Sequence, residues 1–149
     1  MEAIIFVGIQ GTGKSTFYRE RFFNTHIRIN MDMLKTRHRE QIILQACLEG
    51  KQSFVVDNTN PTVEERKRYI IPAKSQKFRV VAYYFQADLS ECKLRNSQRI
   101  SKQVVPLVGL LGTYKKLIKP HWQEGFDVIY TVKTEVNYSF TVEEWQHEI

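Results

Sequence analysis

Gly8-Ile9-Gln10-Gly11-Thr12-Gly13-Lys14-Ser15 fits the pattern G-x-x-x-x-G-K-[ST], in which a glycine-rich turn wraps phosphate groups. The residues before it, Ala3-Ile4-Ile5-Phe6-Val7, read as a buried strand, and Ser15 to Arg21 continue as a helix. This strand-loop-helix setting separates a phosphate-binding loop, or P-loop, from a chance glycine-rich turn. Glycine at 8, 11 and 13 is expected to allow positive φ and close approach of the backbone, so that amide N–H groups and the helix N-terminus point at phosphate oxygens. Gly11, Thr12, Gly13, Lys14, Ser15 and Thr16 are therefore the nucleotide-binding candidates. Lys14 is expected to be a solvated, ligand-facing cation reaching the β- and γ-phosphates, with the Ser15 hydroxyl on Mg²⁺.

Outward from the loop, apolar stretches alternate with helical ones. His26–Asn30, Lys51–Val56, Phe78–Phe85 and Asp127–Val132 read as further strands. Between them, helices are expected over Leu34–Leu48, from Pro61 to a stop or kink at Pro72, from the capping box Asp88/Glu91 to Ile100, and from Pro106 along the stripe Leu107/Leu110/Leu111/Tyr114. The early, polar half of the first of these is expected to face solvent. Thr141-Val142-Glu143-Glu144 has capping-box spacing and predicts a short terminal helix. The expectation is an α/β chain with a mainly parallel five-stranded sheet covered on both faces, as a single domain over residues 1–149. Within it, a lid is placed around residues 95–106 and a C-terminal extension at 133–149.

Composition narrows the function classes. A hydrophobic fraction of 42% with 26% charged residues is that of a globular chain rather than a disordered one. The longest uncharged run, Gln103–Tyr114, is too short to span a bilayer, and with no basic leader at Met1-Glu2-Ala3 the expectation is a cytoplasmic protein with no membrane partner. Cys47 and Cys92 each fall on a helical pattern and read as buried thiols rather than a disulfide. A net charge of +6, from 22 basic against 16 acidic residues, admits a polyanionic partner without requiring one, because solvated basic faces are common.

Several polar residues follow the strand ends, where open α/β sheets place their chemistry. Asp32 follows the second strand and reads either as a helix cap or as a general base for a hydroxyl attacking the γ-phosphate. Lys35, one helical turn on, reads as a substrate contact or as a solvated lysine. Asp57 closes the third strand, either as a turn former or as a carboxylate holding a Mg²⁺-bound water, and Asn58 and Thr59 beside it are candidates for an acceptor phosphate. Arg95 and Arg99, four apart, are expected on one helix face.

Taken in order, Gly-Thr-Gly-Lys-Ser-Thr at 11–16, Ile-Asn-x-Asp at 29–32, Asp-Asn-Thr-Asn-Pro at 57–61, Arg-Asn-Ser-x-Arg at 95–99, Val-Pro at 105–106 and Glu-Gly-Phe at 124–126 resemble the 5′-hydroxyl polynucleotide kinases, including the kinase domains of end-healing enzymes. The resemblance runs from about Ile4 to Val132. It implies a kinase that moves the γ-phosphate of ATP, with Mg²⁺, to the 5′-hydroxyl end of a DNA or RNA strand. It also implies that Asp32 is the general base, that Arg99 belongs to a lid closing over ATP, and that Arg95 lies against the nucleotide. Two positions depart from the family pattern: Met31 stands where many relatives carry Arg, and Lys35 where Arg is usual. They leave a small hydroxyl-bearing acceptor, such as a nucleoside, sugar acid or antibiotic, as the alternative, and a nucleotide-dependent switch as a third reading. No phosphatase or ligase motif is present, so end repair would call on a separate protein.

Overall fold

A computed structural model describes residues 1–99, 104–135, 137 and 139–146. The strand before the P-loop, β1 (Glu2–Val7), lies at the centre of a six-stranded sheet with β2 (Ile27–Ile29), β3 (Phe54–Val56), β4 (Arg79–Phe85), β5 (Val128–Thr134) and β6 (Phe140–Glu144), in the order β2-β3-β1-β4-β5-β6. The first five are mutually parallel and β6 is antiparallel to β5. The helices are α1 (Lys14–Arg21), α2 (Met31–Leu34), α3 (Arg37–Glu49), α4 (Val63–Ser75), α5 (Leu89–Ser97) and α6 (Leu107–Lys116).

Alternation along β1 splits the core into two layers. Ala3, Ile5 and Val7 pack with Leu44 and Cys47 of α3 and with Tyr69, Ile70 and Ala73 of α4. Ile4 and Phe6 pack on the other face with Phe17 and Tyr18 of α1. That second layer is an aromatic cluster, with the Phe6 and Phe85 rings 5.0 Å apart and Phe17 and Phe140 5.1 Å apart, both edge to face. A third group, Ile9, Cys92 and Leu110, seats α5 and α6 against the P-loop. Both cysteines are free and buried, and among the described residues no helix is long and apolar enough to cross a membrane.

Four expectations change. The segment expected as a terminal helix is strand β6, because Phe140 and Val142 alternate toward the aromatic layer while Thr141 and Glu143 stay exposed; period two decides over the capping tetrad. The sheet therefore has six strands rather than five. The helix expected over Leu34–Leu48 is two helices, since Lys35 takes φ 72° and Thr36 caps α3 by accepting from the Arg39 N–H at 3.1 Å. Of the stop or kink expected at Pro72, the stop does not occur: helix α4 runs on to Ser75, proline there forgoing the bond to the carbonyl of Arg68, a residue exposed to water. Helix α5 ends at Ser97, and its expected end at Ile100, like residues 101–103 of the expected lid and 147–149 of the terminal extension, lies outside the described residues.

Candidate active site

The P-loop joins the C-terminal end of β1 to the N-terminus of α1, next to the strand-order reversal at β1, where open α/β sheets bind ligands. Gly11 and Gly13 take φ of 83° and 89°, as the loop requires; Gly8 does not, and is needed instead for close packing, since a Cβ there would meet the Phe85 Cβ at 2.8 Å. Thr12 is buried, its hydroxyl donating to the Ile9 carbonyl at 2.9 Å, while its own carbonyl accepts from the Thr134 hydroxyl at 2.6 Å. Thr16, on the first turn of α1, is half-buried.

Lys14 is not the solvated cation expected from the sequence. Its Nζ donates to the Gly8 carbonyl at 3.0 Å and the Ile9 carbonyl at 2.7 Å, and only 9% of the residue is exposed. Burial lowers its pKa from the ordinary 10.5 to about 8, a fall that the Asp57 carboxylate opposes and the Arg99 guanidinium assists. The loop holds its lysine by its own carbonyls, within the turn whose amides are available to phosphate.

Ser15 and Asp57, 42 positions apart, are brought together: the Ser15 hydroxyl donates to Asp57 Oδ2 at 3.0 Å. A third partner has no counterpart in the sequence reading. Arg28 of β2 donates from Nε to the same carboxylate oxygen at 2.9 Å and from Nη2 to Ser15 Oγ at 3.1 Å. Two hard oxygen donors that already attract a guanidinium form a set suited to Mg²⁺. Among the described residues no group of three or more His, Cys, Asp or Glu side chains could hold a metal.

Asp32 lies on α2, exposed, at the end of β2. The cap of that helix is Asn30, whose Oδ1 accepts from the Met33 N–H at 2.9 Å while its Nδ2 donates to the Asp57 carbonyl at 2.5 Å. Asn58 secures the same turn, accepting from the Met31 N–H at 2.9 Å. Asn58 thus belongs to the support of Asp32, and Thr59 gives its carbonyl to the Gly8 N–H at 3.0 Å. Lys35 is exposed but ends α2 with positive φ instead of following Asp32 along one helix face.

Behind α2 stands a network that sequence reasoning missed. Glu40, in the half of the helix expected to face solvent, is 1% exposed. It accepts from Arg37 Nη1 at 2.8 Å and from the Tyr69 hydroxyl at 2.9 Å, with Arg68 Nη1 3.8 Å away. Burial, then the Glu40 charge, raises the Tyr69 pKa. Asn58 Nδ2 reaches the Tyr69 hydroxyl at 3.3 Å, tying this cluster to the turn that carries Asp32. Arg37 and Arg68 each keep about half of their side chains in water and, with exposed Lys35 and Arg39, make a basic flank.

On the far side of the P-loop, Arg95 donates from Nη1 to the Gly11 carbonyl at 3.1 Å. It borders a cavity of about 860 Å³ lined also by Ile9, Tyr84, Tyr114, Lys133 and Thr134, large enough for a nucleoside. Arg99 lies two residues past the end of α5, so the shared helix face expected for the two arginines is not formed. Its charge is still felt at Lys14.

A family model described as an AAA domain matches residues 35–107, a stretch that begins after the P-loop. A putative bifunctional polynucleotide phosphatase/kinase of Acanthamoeba polyphaga mimivirus is 33% identical over 138 residues, covering 88% of this chain and 33% of the viral protein. The bifunctional polynucleotide phosphatase/kinase of Schizosaccharomyces pombe is 27% identical over 129 residues, covering 84% of this chain and 32% of the yeast protein. This chain thus spans about a third of the length of each relative. Among solved structures, Chaetomium thermophilum Kti12 in complex with ADP-AlF3 shares the fold, with a TM-score of 0.64, 12% identity and coverage of 91% of this chain and 92% of that one. With a P-loop in place, a sheet of this order and two such relatives, the chain has the fold of a P-loop kinase and is similar in sequence to about a third of two bifunctional polynucleotide phosphatase/kinases.

Proposed function

We propose that the chain is the kinase that transfers the γ-phosphate of ATP to a 5′-hydroxyl end of DNA or RNA. The observation that carries this reading is the placement of Asp32. Asn30 and Asn58 fix its turn beside the Ser15–Asp57 pair, and the exposed basic residues Lys35, Arg37, Arg39 and Arg68 are not among those that line the cavity beside Arg95. A hydroxyl approaching from the basic flank meets a carboxylate that takes its proton as it attacks the phosphoryl group in line.

The nucleoside of ATP occupies the cavity beside Arg95, and its phosphates run over the amides of Gly11–Thr16. Lys14 turns from the loop carbonyls to the β- and γ-oxygens. Arg99, from beyond α5, neutralises charge growing on the transferring group, a task for which a guanidinium fork is suited. Ser15 and Asp57 would hold Mg²⁺, which would supply neutralisation of the phosphates' negative charge. Residues 95–106 act as the lid in this reading, the whole chain as one domain, and a separate phosphatase or ligase completes end repair. The free thiols of Cys47 and Cys92 fit a reducing cytoplasmic setting.

A small hydroxyl acceptor is favoured by one specific feature, Met31 where many members of the resembled family carry Arg and Lys35 where Arg is usual. A salt series separates the two. Labelled phosphate transfer is followed from ATP to a 5′-hydroxyl oligonucleotide, to the same strand already 5′-phosphorylated, and to a free nucleoside. Transfer only to the 5′-hydroxyl strand is expected, with log affinity falling against log salt at a slope of about −0.7 per neutralised phosphate. Equal or better phosphorylation of the nucleoside would overturn the polynucleotide assignment.

A further inference from the structure

Arg28 is used by none of the roles above. It is the middle residue of β2, whose alternation sends Ile29 into the layer under α3 and α4 and Arg28 to the opposite face, toward α1. There the guanidinium lies 6.0 Å from the Tyr18 ring, and the Tyr18 hydroxyl is itself fixed by the His26 carbonyl at 2.6 Å. Arg28 keeps 27% of its side chain exposed, whereas Asp57 keeps 1%. A nearly buried carboxylate has one oxygen shared between a guanidinium and a hydroxyl, and that hydroxyl also accepts from the guanidinium. The three groups close a triangle whose two oxygen corners are those assigned above to Mg²⁺.

We infer that Arg28 is an internal counter-cation: it holds Ser15 and Asp57 in place and is exchanged for a divalent cation when metal and nucleotide load, and it thereby sets the metal affinity of the site. This rests on the assignment of Ser15 and Asp57 to Mg²⁺ under the proposed function. Two physical effects act in the same direction. Asp57 Oδ2 already accepts two hydrogen bonds, one of them charge-assisted, so a cation arriving at that oxygen competes with both donors. The guanidinium also repels a second positive charge at short range. Once released, its 27% exposure leaves it room to swing outward, toward the side where phosphate oxygens arrive. Arg28 is a positioning residue in this scheme, and its signature is a change of opposite sign for metal and for metal-free nucleotide.

The test uses the whole chain with Mn²⁺ as probe, free Mn²⁺ being counted by electron paramagnetic resonance with no nucleotide present. Arg28→Gln is expected to lower the Mn²⁺ Kd by at least about tenfold, since it removes a cation that competes at contact distance. The same variant is expected to weaken binding of ATP in the presence of a chelator. Arg28→Lys, which keeps the charge but not the fork, should stay closer to the parent protein on both counts. An unchanged or raised Mn²⁺ Kd in folded Arg28→Gln protein overturns the inference. Asp57→Asn separates the two layers of argument. If it abolishes Mn²⁺ binding while Arg28→Gln changes nothing, the metal site stands and only the role of Arg28 falls. If Asp57→Asn leaves Mn²⁺ binding intact, the metal assignment and this inference fall together. Should Arg28→Gln fail to fold, the parent protein still decides: the Arg28 Nε–H resonance, identified by its loss in Arg28→Lys, is expected to shift on saturation with Mg²⁺ and not with Na⁺. A resonance that ignores Mg²⁺ overturns the exchange.

Discussion

Around the P-loop, the side chains proposed to meet the nucleotide bond to backbone carbonyls of one short stretch: Lys14 to Gly8 and Ile9, Thr12 to Ile9, Arg95 to Gly11. The turn that carries Asp32 is held by side chains drawn from four separate parts of the chain. Asn30 and Asn58 fix its backbone, and Tyr69 and Glu40 fix Asn58 in turn. A backbone cradle depends on glycine and spacing, and tolerates changes elsewhere. A side-chain network fails in stages as its members are removed, because each buried polar group that loses a partner is left with its desolvation cost. The two halves should therefore respond differently to substitution.

The largest expected effect is on the donor half. Lys14→Met keeps the volume and removes the charge, and transfer is expected to fall below detection while the fold survives. Losing a desolvated cation relieves its burial, so the melting temperature should be unchanged or higher. Full activity in that variant would remove the P-loop lysine from the mechanism. On the acceptor half, Asp32→Asn is expected to lower kcat by about 10²–10⁴-fold, the span of a positioned general base, with ATP affinity and melting temperature unaltered because Asp32 is exposed. A fall in ATP affinity with turnover per bound complex preserved would make Asp32 structural.

Glu40→Gln gives a smaller effect of a different kind. It leaves Arg37 and Arg68 facing each other without the carboxylate between them and removes the acceptor of the Tyr69 hydroxyl bond's charge. The acceptor KM is expected to rise by about tenfold, as the basic flank loosens, with ATP affinity unchanged and stability reduced by about 1–3 kcal/mol. If ATP affinity falls as much as acceptor affinity, the network supports the whole site and the division between halves is lost.

Legibility in the sequence follows the same division. The loop, its flanking strand and helix, and the parallel strands were readable because each is a local pattern: glycine spacing, apolar runs, helical stripes. Asp32 and Asp57 stood out as candidates too, since each follows closely on the end of a strand. What holds them was not readable. Arg28 is a single charged residue in a three-residue strand, 29 positions from its partner, and Glu40 sits among Thr36–Gln41 in a segment polar enough to pass for a solvated face. The one local hint was the pair Asn30 and Thr36, both favoured helix caps, which marks two short helix starts where one long helix was expected. Strand β6 was missed because a capping-box spacing and a strand alternation overlap at Thr141–Glu144, and only contact with the aromatic layer chooses between them.

The smallest effect is a fraction of a proton. Burial holds the Lys14 pKa at about 8 against an ordinary 10.5, so between these values the folded protein has lost a proton that the unfolded chain keeps. The burden this places on stability is fully present below about pH 8 and is relieved as the pH rises from 8 toward 10.5. Binding of nucleotide reverses the local balance, because phosphate oxygens replace the loop carbonyls as partners of Nζ and favour the charged form. Binding must then take up a proton wherever unliganded Lys14 is neutral: hardly at all at pH 6.5, by about half a proton at pH 8, and by more near pH 9. Calorimetry in two buffers of different ionisation enthalpy measures that uptake directly, and Lys14→Met should abolish it without needing any acceptor to be present. If uptake is absent at pH 9 in the parent protein, Lys14 already carries its proton among the loop carbonyls, and the backbone cradle binds phosphate with its cation charged in advance. If uptake persists in Lys14→Met, the titrating group lies elsewhere, and the contrast between a backbone-held donor half and a side-chain-held acceptor half loses its electrostatic support.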